Sequence, residues 1–361
     1  MYLDHLTCTG FRCLQKIDFE PGPGINLVRG GNAQGKTSLL EAILFASTSK
    51  SHRTNVESEL AAHGESGFSI KMKVCRRDRE VILEANWHEG TKRFRINGVR
   101  QSRVSDILGT VSVVFFSPED IALVKGSAAV RRKFLDMELS QLNPLYLAAL
   151  QRYRQALRQR NELLRARTVD LDQLNAWDQQ LAEHGEVLRH ERSGFITELA
   201  VLAREAYARI SGGEILSLEY QSDVPSDEAL ADVLERNRAS DVKRRMTGRG
   251  PHRDDLDIQV DAHPARSHAS QGQQKTAALA LKLAELELVK RRIGEYPILM
   301  LDEVLAELDA QRARHLFDAI DSEVQCIVTT TELETQPDLF GDSCTNFDIE
   351  AGRLTPHADI S

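Results

Sequence analysis

Apolar positions along the chain switch between a period of two and a period near 3.6, and the switches mark out its elements. Residues 2–9 and 13–19 read as two short strands around Gly10-Phe11-Arg12, closed by the turn Pro21-Gly22-Pro23-Gly24. A short apolar run, Ile25-Asn26-Leu27-Val28, leads into a glycine-rich stretch and then a helix with Leu39, Leu40, Ile43 and Leu44 on one side. Residues 49–60 are too polar for a core segment. Ile70, Met72 and Val74 then alternate with Lys71, Lys73 and Cys75, which predicts a strand with one wet, basic face. Further strands follow over 81–87 and through Phe94 and Ile96 into Asn97-Gly98, and 111–116 reads as a buried strand ending at the helix cap Ser117-Pro118.

The middle of the chain is helical. Leu142, Tyr146, Ala149, Tyr153, Ala156, Arg160 and Leu163 recur at spacings of four and three, and Leu174, Leu181, Leu188, Phe195 and Leu202 recur every seven residues. Two long antiparallel helices are expected, with Gly185 and Gly194 weakening the second. A strand over 215–220, a helix over 226–246, a helix over 273–292, a strand over 298–301, a helix over 305–320 and a strand over 326–330 follow, with Phe347-Asp348-Ile349 as a short edge strand. Strand alternating with helix after residue 290 points to a parallel sheet. The expectation is an α/β head of the phosphate-loop class with a mixed sheet, its halves at 1–140 and 246–361 separated by a mainly helical lobe at 141–245.

Composition adds two constraints. The chain has 361 residues, 41% hydrophobic and 28% charged, and no apolar run approaches the ~20 residues needed to cross a bilayer. No export signal is visible at the start, and five scattered cysteines form neither a CxxC pair nor a disulfide framework. A reducing cytoplasm, with no membrane partner, is therefore expected. The net charge of -8 is unevenly spread: residues 299–361 hold 3 basic and 14 acidic residues, net -11, which leaves the rest at +3. Residues 236–253 hold 7 basic against 1 acidic, so the total charge does not exclude a polyanionic partner.

The chemistry concentrates at residues 30–44, where Gly30, Gly35, Lys36 and Thr37 complete the pattern G-x-x-x-x-G-K-[ST]. Backbone N–H groups can curl around a phosphate only where side chains do not obstruct the turn. Gly30, Asn32, Gly35, Lys36, Thr37 and Ser38 are the loop's candidate nucleotide contacts, with Lys36 on the terminal phosphates and the Thr37 hydroxyl on magnesium. Asp302 and Glu303 leave an apolar strand together, a costly place for acids unless they serve a cation. Asp302 is the natural second partner of Mg²⁺, and Glu303 is placed to activate a water. Ser270-Gln271-Gly272-Gln273 opens an apolar helix and offers an anion site.

The order of these motifs is that of ABC-type ATPases. With SHRT at 51–54, FSPEDIALVKGSAAVRRKFLDMELSQLNP at 116–144, GRGPHRDDLDI at 248–258, ASQGQQKTAALALKLAE at 269–285 and LMLDEVLAELD at 299–309, the chain resembles the RecF family, bacterial DNA-repair ATPases of the SMC and Rad50 branch. The resemblance implies an ATP-dependent homodimer that binds double-stranded DNA near gaps or single-strand/double-strand junctions and works with RecR and RecO to load RecA. It implies slow, DNA-stimulated hydrolysis of ATP with Mg²⁺ in the cytoplasm. It places Arg53 near the nucleotide; Ser270, Gly272 and Gln273 on the γ-phosphate held by the other subunit; and Asp309 in the loop coupling the two sites. Lys36 and Glu303 would be the catalytic pair. Ala33 stands where the family often has glycine, which alanine tolerates if its φ is negative, and the strand at 326–330 ends in threonines instead of a switch histidine.

Basic residues at Lys71, Lys73, Arg76 and Arg77, and at Lys243, Arg244, Arg245 and Arg249, are candidates for DNA phosphates; a wet sheet face explains the first set as well and a solvated helix face the second almost as well. A soluble ABC ATPase of another complex, or a nucleotide-gated DNA-binding module without catalysis, are the alternative functions.

Overall fold

In the computed structural model, the described residues are 1–331, 340 and 344–357. They form two compact units, the first of residues 1–120, 209–212 and 279–361 and the second of 121–208 and 213–278.

Two six-stranded sheets build the first unit. One is antiparallel, in the order Leu14–Phe19, Tyr2–Phe11, Gly67–Cys75, Glu80–His88, Thr91–Ile96 and Val99–Arg100. The strict alternation read at Ile70, Met72 and Val74 is what places these residues inside and Lys71 in solvent. The second sheet runs Arg353–Pro356, Thr345–Glu350, Ile25–Arg29, Cys326–Thr330, Ile298–Asp302, Val113–Phe116, parallel except for the hairpin at its first edge. Strands buried on both faces explain the unbroken apolar runs at 298–301 and 326–328. Thr345–Glu350 is thus not the edge strand expected at 347–349, because Arg353–Pro356 folds back and pairs beyond it.

The helix Lys36–Thr48 contacts strands of both sheets, and every residue in it except Thr37 is buried. A helix covered on all sides has no polar face to spare, so its polar side chains are each accounted for. Ser47 and Thr48 bond carbonyls one turn back, and buried Glu41 receives a two-pronged bond from Arg12 at 2.8 and 2.9 Å. Phe68 meets Phe11 and Phe45 edge-on beside the helix, at 5.0 and 5.2 Å.

The second unit contains the long helix Pro144–Arg165, the helix Leu171–Ser211 as far as Ala208, and a three-stranded sheet of Leu216–Gln221, Asp255–Val260 and His263–Pro264. The heptad stripe of Leu174, Leu181, Leu188, Phe195 and Leu202 is buried throughout. Gly185 does not break its helix. A side chain there would strike Leu230 and Tyr153, so glycine lets the helix Leu230–Arg244 approach. The unit is wider than the lobe expected over 141–245: the helix Ala128–Leu142 belongs to it, packed on Asp255–Val260 and fixed by a bidentate Arg131–Asp255 bond of 2.7 and 2.9 Å. The segment 248–258 enters it as well. Asp254 accepts from Arg192, Tyr220 and the Asp223 N–H, and His252 lies 2.7 Å from the Tyr153 hydroxyl. Two fully buried arginines, Arg160 and Arg192, hold these elements together through Asp178, Asp241, Asp136 and Asp254. Removing a partner from such a pair leaves a buried charge, at a cost of about 3–5 kcal/mol.

The helix expected over 305–320 divides. A short 3₁₀ turn, Val304–Glu307, precedes the helix Ala310–Asp318, because Asp309 starts a fresh helix by accepting from the Arg312 N–H at 2.9 Å.

Candidate nucleotide site

The strands Ile25–Arg29, Cys326–Thr330 and Ile298–Asp302 are neighbours in parallel register, so the loops beyond their carboxyl ends come out side by side. Gly30 follows the first. A Cβ there would collide with the Ile349 carbonyl, so only glycine lets the loop pass the hairpin strand. Gly35 closes the loop at φ 116° and caps the helix with no side-chain bond of its own, leaving the first helical N–H groups pointing out of the helix end. Gln34 anchors the loop from outside, its carbonyl accepting from the Gly352 N–H at 3.0 Å and its side chain from the Ala351 N–H at 2.6 Å.

Lys36 is 3% exposed, and its Nζ donates to the Gly30 and Gly31 carbonyls at 2.8 Å each. The same ammonium stands 3.1 Å from a Glu303 carboxylate oxygen. The Thr37 hydroxyl donates to Asp302 Oδ1 at 3.1 Å. Thus the four residues singled out for chemistry, from opposite ends of the chain, are brought together. Gly30, Gly35 and Ser38 share the loop and helix start with them, Ser38 lying 3.5 Å from the Cys13 thiol. Asn32 sits on the exposed crest.

One participant escaped the sequence reading. Thr329, the register partner of Asp302 on the neighbouring strand, donates from its hydroxyl to Asp302 Oδ1 at 2.7 Å. Its carbonyl and hydroxyl oxygens both accept from the Glu303 N–H, at 3.2 and 3.0 Å. Glu303 has a φ of 53°, a left-handed conformation rare for a side chain of this size, and Thr329 secures it. The signal was the threonine run itself, examined for a histidine it lacks.

Burial pushes the Asp302 carboxyl above its ordinary value; the Thr329 and Thr37 hydroxyls pull it back, and the charges of Glu303 and Glu119 push it further up. No cation pairs with Asp302 among the described residues. Glu119, in the turn after Val113–Phe116, thus acts on Asp302 through its charge.

Arg53 lies apart. Its side chain is exposed, while its loop is pinned because Ser51 accepts from the Arg53 and Thr54 N–H groups and donates to Glu41.

The family described as the RecF/RecN/SMC N terminal domain matches residues 2–341. The DNA replication and repair protein RecF of Clostridium perfringens is 36% identical over 360 residues, covering 98% of this chain and 99% of the relative. That of Streptococcus suis is 39% identical over 363 residues, with the same coverage.

The chain belongs to the RecF family.

A solved structure described as the recombination mediator protein RecF with ATP in the RecFOR pathway superimposes with a TM-score of 0.90 at 33% identity, over 99% of this chain and 98% of that one. The α/β head of the phosphate-loop ATPase class with its mixed sheet and helical lobe, expected from the motifs, is therefore the RecF-family fold. Membership in this ATPase class supports nucleotide binding and hydrolysis as the general activity. No described helix is long and apolar enough to span a membrane.

The remaining family positions sit as follows. In the second unit, Ser270 and Gln273 form a reciprocal cap at the start of Gln271–Ile293: the Gln273 side chain accepts from the Ser270 N–H at 2.8 Å and the Ser270 hydroxyl accepts from the Gln273 N–H at 3.2 Å. Gly272 lies between them, and Gln273 also donates to Glu214 at 2.8 Å. Asp309 is exposed at its cap. Of the basic residues, Lys73 pairs with Asp4 and Glu80, Arg76 with Glu295, and Arg249 with Asp223. Lys71, Arg77, Lys243, Arg244 and Arg245 are exposed.

Ala33 departs from its expected backbone. Its φ is 61°, so the condition under which alanine would be harmless is not met. A left-handed alanine costs about 1–2 kcal/mol, partly offset by the greater unfolded freedom of glycine. Ala33→Gly should stabilise the chain by roughly 0.5–1 kcal/mol. A urea titration should show the transition midpoint moving up; an unchanged or lower midpoint would mean the loop relaxes the strain at no cost.

Proposed function

We propose that this chain is an ATP-gated DNA-binding protein of recombinational gap repair. ATP binds at the phosphate loop through Lys36 and Thr37, and two copies close so that Ser270 and Gly272 of each meet the γ-phosphate held by the other. The closed dimer grips duplex DNA near gaps or single-strand/double-strand junctions, where it assists RecO and RecR in loading RecA. The observation that carries the reading is the convergence of Lys36, Thr37, Asp302 and Glu303 within direct bonding distance at the phosphate loop of a RecF-family chain.

The residues also fit a magnesium ion. Asp302 is a buried carboxylate with no cation partner among the described residues and accepts from the Thr37 hydroxyl, and the ion would supply charge neutralisation for the phosphates. Lys36 holds the phosphate charge from the loop side, and Glu303 takes a proton from the attacking water. Arg53 is assigned beside the nucleotide and Asp309 to the loop coupling the two sites. Lys71, Arg77, Lys243, Arg244 and Arg245, exposed and outside the ion pairs described above, are the basic residues best suited to DNA phosphates. The presence of Glu303 favours slow hydrolysis over a non-catalytic module.

Sedimentation velocity of the purified chain tests the gate. At micromolar protein the chain should shift from monomer to dimer on adding ATP with magnesium, because nucleotide bound only by the closed form stabilises that form. Ser270→Arg should stay monomeric while binding ATP normally. A wild type that remains monomeric with saturating ATP would overturn the shared-nucleotide arrangement.

A further inference from the structure

Away from the nucleotide site, the second unit holds a cavity of about 260 Å³. Its walls are mostly apolar, from Leu150 and Leu157 on the helix Pro144–Arg165 and Leu188 on Leu171–Ser211. Four cations, Arg132, Lys133, Arg154 and Arg192, line it against the one carboxylate of Asp136. That carboxylate is already shared: it accepts from Arg192 at 2.8 Å, Arg154 at 2.7 Å and the Tyr146 hydroxyl at 2.5 Å. Arg192 is further answered by Asp254 at 3.1 Å, whereas among the described contacts Arg132 donates to a neutral acceptor, the Asp254 carbonyl at 2.6 Å. Lys133 is exposed, with no bond among the described contacts. Burial presses the Arg132 guanidinium below its ordinary pKa and the Arg192 charge adds to this, while the Asp255 and Asp254 carboxylates oppose it.

We propose that this cavity docks an acidic peptide segment carrying an apolar side chain, supplied by a partner protein, with the apolar group between Leu150, Leu157 and Leu188 and its carboxylates on Arg132 and Lys133. The occupant must bring both chemistries. A leucine-walled hollow removes water from whatever enters, which penalises a strongly hydrated phosphate and rewards an apolar group. A duplex backbone offers charge alone, in a form too broad to enter. Guanidinium forks match carboxylates in geometry as well as sign, and the charged rim fixes orientation and speeds encounter. The site is independent of the nucleotide reading: none of its residues belongs to the ATP machinery.

The test uses the full chain and a fluorescein-labelled peptide of three glutamates followed by leucine and phenylalanine, read by anisotropy at low salt. Saturable binding is expected, weakened about tenfold by Lys133→Glu and by Leu157→Asn. Replacing the peptide's glutamates by glutamines should weaken it similarly. Lys133 is exposed, so Lys133→Glu should keep the wild-type melting temperature and ATP-driven sedimentation, which separates a docking defect from misfolding. Absence of saturable binding, or binding indifferent to both substitutions, overturns the proposal. So does a Lys133→Glu variant that loses affinity for a short DNA duplex while the peptide fails to compete with that duplex, which would make the surface a phosphate contact.

Discussion

Lys36→Met is expected to lower ATP affinity at least about 100-fold while leaving the fold intact. Its Nζ makes two 2.8 Å bonds to loop carbonyls and faces Glu303, so the ammonium sits where the loop's N–H groups and the helix N-terminus converge. Hydrogen bonds to charged groups contribute about 1.5–3 kcal/mol each, and losing those to the terminal phosphates accounts for the predicted factor. Methionine keeps the length and apolar stem that pack at the start of the buried helix, and volume-conserving changes of this kind cost little. The groups left behind stay within reach of water, since Gly31 is exposed, Gly30 is half-buried and Glu303 remains 36% exposed. Calorimetric titration with ATP measures the loss directly, and a matched melting temperature excludes misfolding. In the gated scheme the same variant also loses ATP-driven dimerisation and holds gapped duplex no better with ATP than without. Wild-type ATP affinity in Lys36→Met would place the phosphates elsewhere.

The parts of this site that are legible from sequence are those whose chemistry is local. Gly30 and Gly35 stand out by the phosphate-loop spacing alone, although the close passage of Ile349 that requires glycine at position 30 is a long-range contact, and Asp302-Glu303 declares itself by leaving an apolar strand. Thr329 is different. Its role comes from parallel register with a strand almost thirty residues earlier, and nothing near Thr329 in the chain announces Asp302. The same distance effect governs the basic residues. Lys73, Arg76 and Arg249 count toward a positive surface in any tally, yet their carboxylates lie at Asp4, Glu295 and Asp223, so their charge is largely answered within the fold. Gly185 reads as a weak point because propensity is a local property, while the reason for it is the close passage of Leu230 and Tyr153. Ala33 errs in the other direction: an ordinary residue type conceals a left-handed turn.

Glu303→Gln is expected to separate nucleotide binding from hydrolysis. The backbone of Glu303 is set by Thr329 through its N–H, and glutamine retains that bond and the left-handed turn. Its side-chain oxygen can still accept from Lys36, so ATP affinity should stay within a few-fold of wild type. What glutamine cannot do is take a proton, and general-base catalysis contributes about 10²–10⁴-fold. Single-turnover hydrolysis should fall by that order. Removing the Glu303 charge also withdraws one of the influences holding the Asp302 carboxyl up, so Asp302 should ionise more readily and the magnesium requirement should persist. With hydrolysis slowed and the closed dimer still forming, the complex on gapped duplex should outlast the wild-type one by a comparable factor, measured as dissociation after a competitor chase in ATP. Three outcomes divide the readings cleanly. Slow hydrolysis with long-lived DNA binding supports release by turnover. Slow hydrolysis with unchanged DNA lifetime uncouples the two and leaves ATP only a conformational ligand. Unchanged hydrolysis removes Glu303 from the chemistry and restricts it to steadying Lys36, the one other role its 3.1 Å contact allows.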